Sequence, residues 1–309
     1  MKIVEIEPIF TTLESRQQFE KSLNDKSHEL ISHSNRPSDK TELINKIKKA
    51  DIILMSNIPL DGEIINQCEN LKMISVAFTG IDHIDVEACN KRGITIRNSA
   101  GYSTNSVAEL TLGLIIDSLR KITYLDAKTR SLSDRNGFIG SELKGKTVGI
   151  IGSGAIGTQV GIIMNTLGCK VLFTSRSIKL DTYWGKFTSI DALLAESDIV
   201  TLHTPLTPET EFLIDENKIS KMKETAFLIN TARGKVVDYN ALADALTKGK
   251  LAGAAIDVYE MEPPISKNHP LLTAPNCILT PHIAYATNEA LTLRAKIASE
   301  NIINWLENK

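Results

Sequence analysis

The sequence has no apolar stretch long enough to span a bilayer, and its opening residues, Met1-Lys2-Ile3-Val4-Glu5-Ile6-Glu7-Pro8, are charged and break where a secretory leader needs an apolar segment. A cytoplasmic protein is expected. Cysteine is scarce: Cys68, Cys89, Cys169 and Cys277 lie far apart with no C-x-x-C pair, which argues against a zinc site or a disulfide framework and predicts reduced core thiols. No metal site is expected. Neither sign of charge is in excess, the formal net charge being −2, so nothing calls for nucleic acid or a membrane surface. Low-complexity tracts and internal repeats are also missing, which sets aside disordered and solenoid architectures. What remains is an ordinary globular composition, 42% apolar and 23% charged, over 309 residues, more than one compact core usually carries. Two domains, and a cleft, are expected.

Short apolar runs alternate with helix-length amphipathic stretches, the rhythm of β-α units building a parallel sheet, and the rhythm occurs twice. The first set predicts strands near Ile3–Ile6, Ile52–Met55, Met73–Ala77 and Thr95–Ile96, with helices near Ser15–Leu23, Glu42–Lys48, Glu63–Cys68 and Asp85–Lys91. The second predicts strands at Val148–Ile151, Val171–Thr174, Ile199–Leu202, Ala226–Ile229, Ala254–Asp257 and Cys277–Leu279. One long helix is expected between them, from about Ser106 to Arg130, with Ser103-Thr104-Asn105 as its cap, and the loop Ser133–Lys146 as a connector. A last helix, Asn288 to Glu307, is placed to return to the first domain. The fold class is α/β, with two doubly wound parallel-sheet domains: a flavodoxin-like catalytic domain of residues 1–99 plus 284–309, and a Rossmann nucleotide-binding domain of residues 100–283.

Gly152-Ser153-Gly154-Ala155-Ile156-Gly157 closes one predicted strand and opens a helix, and a second strand follows. That βαβ frame places a pyrophosphate at a helix N-terminus, with Gly152 for the tight turn, Gly154 for close approach of phosphate and Gly157 for helix–strand packing. At the end of the second strand an acidic residue would bind the adenine ribose and repel a 2′-phosphate. The chain instead reads Phe173-Thr174-Ser175-Arg176-Ser177. Ser175 and Arg176 favour NADP, Arg being suited to a bidentate phosphate contact; the competing reading is a solvated Arg176 beside a pocket that also accepts NAD.

Seven blocks in order then carry a resemblance: Ala77-Phe78-Thr79-Gly80-Ile81-Asp82-His83-Ile84-Asp85, Ser106-Val107-Ala108-Glu109-Leu110, Gly152–Gly157, His203-Thr204-Pro205-Leu206, Asn230-Thr231-Ala232-Arg233-Gly234, Asp257-Val258-Tyr259-Glu260-Met261-Glu262-Pro263 and Thr280-Pro281-His282-Ile283-Ala284. The chain resembles the D-isomer-specific 2-hydroxyacid dehydrogenases nearly end to end. The resemblance implies a homodimer joined through the nucleotide domain. It also implies a reaction in which a small 2-oxo acid is reduced to the D-2-hydroxy acid.

Such a reduction needs a hydride, a proton for the emerging alkoxide and a fixed cation for the substrate carboxylate. Arg233, at the carboxyl end of a predicted strand, supplies the cation through a planar fork that matches carboxylate and carbonyl oxygens. His282 is the candidate acid in reduction and base in oxidation, because an imidazole titrates near neutral pH, and Glu262 is its orienting partner. The resemblance assigns Arg233, Glu262 and His282 the catalytic roles, and the loop Phe78-Thr79-Gly80 the substrate carboxylate. With the glycine turn and the strand end read above, cofactor contacts are expected at Gly152, Gly154, Ala155, Ile156, Gly157, Ser175, Arg176, His203, Thr204, Thr231, Ala232, Arg233, Asp257, His282 and Ala284. Within that set Asp257 resembles the residue that binds the nicotinamide carboxamide, and Thr231-Ala232 are expected on the same face. His203 reads equally as a satisfied core histidine, and Thr204 is the stronger cofactor candidate. Formate and phosphite dehydrogenases are nearby alternatives. Glu262 stands where formate enzymes carry glutamine, and Thr79 where phosphite enzymes carry lysine. A cofactor-sensing corepressor-like binding protein is the alternative outside enzymology.

Overall fold

A computed structural model describes residues 1–25, 27–177 and 180–308. The chain divides into two compact units, Met1–Ser103 with Ala286–Lys309, and Thr104–Tyr285.

The first unit holds β1 (Lys2–Glu5), α1 (Leu13–Asn24), β2 (Glu29–Ser32), α2 (Lys40–Ile47), β3 (Ile52–Met55), α3 (Gly62–Asn66), β4 (Met73–Val76), α4 (Val86–Lys91) and β5 (Thr95–Asn98). Its strands form one parallel sheet in the order β2-β1-β3-β4-β5, the flavodoxin-type winding. β3 and β4 are buried at every position, as a strand covered on both faces must be. The helices start where short polar side chains cap them: Thr12, Asp39, Asp61 and Asp85 each accept from a backbone N–H in the first turn. β2 has no counterpart in the sequence reading because it is a half-exposed edge strand without a continuous apolar run.

The second unit opens with α5 (Thr104–Arg120) and α6 (Ile122–Arg130). The single helix expected over this stretch is therefore two. Lys121 takes φ +50°, and the Asp117 carboxylate accepts from Thr123 N at 2.9 Å, capping the second helix and ending the first. Ser103-Thr104-Asn105 is not wholly a cap either, since the helix already includes Thr104 and Asn105. There follow β6 (Thr147–Ile151), α7 (Ala155–Thr166), β7 (Lys170–Thr174), β8 (Lys186–Phe187), α8 (Ile190–Glu196), β9 (Ile199–Leu202), α9 (Glu216–Ser220), β10 (Phe227–Asn230), α10 (Tyr239–Thr247), β11 (Gly253–Ile256) and β12 (Cys277–Leu279). Their parallel sheet runs β12-β11-β10-β9-β6-β7-β8, so the winding reverses between β6 and β9, the switch point at which such sheets bind ligands. The two-residue β8 was not anticipated, being too short for a periodicity signal. One apolar cluster, including Leu228, Leu242 and Ile256, covers one face of this sheet; another, including Ile150, Val160 and Phe173, covers the other.

The last helix, α11 (Asn288–Glu307), packs on the first sheet as expected. Ala295, Ala298, Ile302 and Trp305 join Ile3, Ile52, Leu54 and Met73 in one core. Ser75 Oγ on β4 donates to Ala298 O at 2.8 Å, so small residues on both elements let helix and strand approach.

Candidate functional site

The nucleotide cradle is built from the β6–α7 turn. Gly152 takes φ +102°, and a Cβ there would lie 2.3 Å from His203 O, so only glycine lets the first turn pass beside the end of β9. A Cβ on Gly157 would lie 1.9 Å from Gly152 O; this glycine thus serves the turn itself, whereas the tight helix–strand approach falls one turn later at Gly161, against the Phe173 ring. Gly154 is the N-cap of α7 and gives it no side-chain bond, and a Cβ there would meet nothing within 4 Å. Ala155 is exposed and Ile156 half-buried beside it. The first turn of α7 therefore presents backbone N–H groups and positive dipole to an open side, which fits a pyrophosphate.

At the end of β7, Ser175 Oγ donates to Ser177 O at 2.7 Å, and Arg176 is exposed. Glu209 has its pKa lowered chiefly by the Thr207 hydroxyl, with the Arg176 charge contributing. His203 is half-buried with Nε2 3.0 Å from Thr201 Oγ1, and burial pushes the imidazole down to about 3, so it is neutral near pH 7. Its carbonyl is what meets the Gly152 turn. Thr204 Oγ1 reaches Pro205 O at 3.5 Å. The buried hydroxyl of Thr231 lies 3.1 Å from Thr111 Oγ1 on α5.

Arg233 follows β10 in extended conformation, and its Nη1 donates to Ala232 O at 2.8 Å. Gly234 is fixed next to it by close packing: a Cβ would lie 1.9 Å from the Tyr259 carbonyl carbon. On the Thr280–Ala284 turn, His282 takes φ +56°, uncommon for a residue with a Cβ. Asp257 at the end of β11 holds that turn. Its Oδ1 accepts from Thr280 Oγ1 at 2.6 Å and Ile283 N at 2.9 Å, and its Oδ2 from Ala284 N at 2.9 Å. Burial raises the carboxyl above the usual aspartate range, against the opposing pull of these three donors and the nearby His282. Tyr259 Oη adds a bond to Thr280 O at 3.1 Å. Three acceptor positions of this carboxylate are thus taken by its own turn. Glu262 brings Oε2 and Oε1 to 2.8 and 3.0 Å from His282 Nδ1, and a carboxylate that only accepts puts the proton on Nδ1.

In the first unit, Phe78 is buried with its ring 6.3 Å from Tyr102, and Thr79 and Gly80 follow at the carboxyl end of β4. Asn98 Nδ2 donates to Thr79 O at 2.6 Å and Ser99 N to Phe78 O at 3.0 Å, which fixes the loop's backbone. Among the described residues no group of three or more His, Cys, Asp or Glu side chains is placed to hold a metal ion. Sequence reasoning missed Asn230 and Tyr239, both fully buried, whose polar groups meet behind Arg233; a strand-end asparagine and a helix-start tyrosine carry no periodicity signal.

A dinucleotide cradle at a switch point, together with a histidine–carboxylate pair in the same unit, defines a nucleotide-dependent oxidoreductase. Residues 112–284 match the model of the D-isomer specific 2-hydroxyacid dehydrogenase NAD-binding domain. The chain is 42% identical over 283 residues to a glyoxylate reductase of Thermofilum pendens, covering 88% of this chain and 83% of that one. Its structure resembles an acyclic imino acid reductase in complex with NADPH and D-Arg, with a TM-score of 0.91 and 29% identity over 100% of this chain and 98% of the other. It also resembles a D-lactate dehydrogenase from Aquifex aeolicus complexed with NAD and lactic acid, with a TM-score of 0.86 and 30% identity over 100% and 96%. The chain belongs to the D-isomer specific 2-hydroxyacid dehydrogenase family, whose cofactor is a nicotinamide dinucleotide.

His203 gives a pH test of the cradle. A histidine whose folded pKa is depressed contributes stability that is present above the unfolded value near 6.5 and lost as pH falls toward about 3. His203→Gln should therefore flatten the pH dependence of the urea midpoint by as much as one proton between those limits. A wild-type slope left unchanged by the substitution would contradict a neutral His203.

Proposed function

We propose that the protein reduces a small 2-oxo acid, of the glyoxylate, hydroxypyruvate, pyruvate or branched type, to the D-2-hydroxy acid, with NADPH preferred over NADH. The observation that carries this reading is the two-oxygen approach of Glu262 to His282 Nδ1, which fixes the tautomer and makes the opposite ring nitrogen, Nε2, the atom for proton transfer. A nicotinamide cofactor held at this cradle would supply the hydride for the carbonyl carbon. Arg233 holds the substrate carboxylate and polarises the carbonyl. His282 Nε2 delivers the proton to the alkoxide oxygen, and Glu262 stabilises the imidazolium before transfer. The first unit serves as the substrate domain, its Phe78-Thr79-Gly80 loop offering backbone N–H groups to the carboxylate. The second unit serves as the nucleotide domain: Gly152, Gly154, Ala155, Ile156 and Gly157 take the pyrophosphate, and Thr204 and Ala232 line the cofactor path. Asp257, Thr231 and His203 act behind that surface, as their hydrogen bonds support.

Ser175 and Arg176, standing where an acid would repel a 2′-phosphate, support NADPH. The reading includes a homodimer, supported by α6, which has no buried side chain and shows Ile122 and Tyr124 to solvent, with Leu132 and Ile139 exposed in the segment after it. A cytoplasmic setting is supported by four unpaired cysteine thiols.

The test is oxidation of NADPH and NADH, followed by nicotinamide absorbance, against glyoxylate, hydroxypyruvate, pyruvate, phenylpyruvate and branched 2-oxo acids. Turnover to the D-product with NADPH is expected; cofactor binding without turnover of any 2-oxo acid would overturn the reading. His282→Ala should lower kcat by on the order of 10²- to 10⁴-fold with nucleotide affinity unchanged, the scale of one positioned acid. Retained kcat would remove His282 from the mechanism. Ser175→Asp should shift the NADPH/NADH preference toward NADH by about tenfold or more, through repulsion of the 2′-phosphate. An unchanged preference would place the discriminating contact elsewhere.

A further inference from the structure

Behind Arg233 lies a closed polar network that no step above uses. Asn230 and Tyr239 are both fully buried, one ending β10 and the other opening α10. Asn230 Nδ2 donates one hydrogen to Arg233 O at 2.9 Å and the other to Tyr239 Oη at 2.9 Å, while its Oδ1 accepts from Ala232 N at 3.0 Å. Arg233 O is an acceptor only, so the amide has a single orientation that satisfies all three bonds. Tyr239 Oη in turn donates its one hydrogen to Val258 O at 2.6 Å. Burial holds that phenol far above its ordinary pKa, so the donor is always present. The ring is fixed on its other side, edge-on to His269 at 5.7 Å, and His269 Nε2 is 3.0 Å from Glu260 Oε2.

The network joins two stretches of chain far apart in sequence. One is Ala232–Gly234, where the amide grips the backbone on either side of the Arg233 side chain. The other is Val258–Glu262, which carries the histidine's carboxylate partner and against which Gly234 packs without room for a Cβ. We propose that the Tyr239 hydroxyl is a positioning group for the reaction: acting through Asn230, it sets the direction in which Arg233 leaves the backbone and its registry with the Glu262 segment. This rests on the role of Arg233 proposed above. A merely structural hydroxyl would contribute to stability alone. A positioning hydroxyl must show in the kinetics of the 2-oxo acid, and only while Arg233 is present, because a misplacement of an ångström or less at a binding group is felt strongly in turnover.

Tyr239→Phe keeps the ring and removes the hydroxyl. Its kcat/KM for the 2-oxo acid should fall on the order of tenfold, with KM for the nicotinamide cofactor unchanged. In an Arg233→Lys background the same substitution should change kcat/KM by no more than about twofold, since coupled residues are not additive. Ser197→Ala removes another buried hydroxyl, one bonded to Leu193 O at 2.6 Å away from this network, and should leave kcat/KM unchanged. Equal fractional losses from Tyr239→Phe in both backgrounds, or a loss that appears in cofactor affinity, would overturn the proposal. If Tyr239→Phe fails to fold, Asn230→Ser, which leaves the Tyr239 ring in place, repeats the cycle with the same expected and contrary outcomes. Wild-type turnover is measured first: its absence would overturn the function proposed above, whereas wild-type turnover with additive losses overturns only the positioning role.

Discussion

The buried carboxylate of Asp257 is the constraint on which the site depends. A left-handed backbone is uncommon for a residue with a Cβ, and His282 is held in it by three bonds from its own turn to one side chain at the end of β11. Because the carboxylate follows directly on a strand buried at every position, the imidazole inherits the rigidity of the strand and not the mobility of a loop. Tyr259 repeats the device from the next residues of the chain, bonding Thr280 O. A short segment after β11 thus serves the His282 turn through Asp257 and Tyr259, and the Arg233 turn through Val258 and the close approach of Gly234.

The same economy appears at the nucleotide cradle. The winding of the sheet reverses between β6 and β9, and the turn after one strand touches the carbonyl at the end of the other. Glycine at position 152 answers a steric demand set by topology, and an uncapped helix N-terminus at Gly154 answers an electrostatic one. The glycine turn, Arg233 and His282 each follow a strand end with a buried partner behind them, and Glu262 reaches His282 from the longer segment between β11 and β12.

Much of this was legible in the sequence. The rhythm of apolar runs placed Ile52–Met55, Ile199–Leu202 and the helix Asn288–Glu307 because burial on both faces, or on one helical stripe, writes itself into composition. The glycine hexapeptide and the Glu262–His282 pairing were legible because the chemistry restricts the residue types. Three features were not. The break at Lys121 comes from a carboxylate four residues upstream, a long-distance cap that hydropathy does not record. β2 and β8 pair at positions with little apolar content, so only the sheet beside them makes them strands. The direction of the Asp257 and Thr231 side chains follows from contacts with Ala284 and Thr111, residues far away in sequence, and no local pattern distinguishes a group that faces a cofactor from one that supports its neighbour.

Replacement of Asp257 by asparagine, with nucleotide affinity and turnover measured on the same preparation, tests the central claim most directly. An amide keeps the size but offers one acceptor where the turn needs two, so kcat for the 2-oxo acid should fall on the order of a hundredfold while the dissociation constant of the nicotinamide cofactor stays within about twofold. A loss of cofactor affinity in step with turnover would show that the Asp257 carboxylate answers to the cofactor and not to the turn that carries His282.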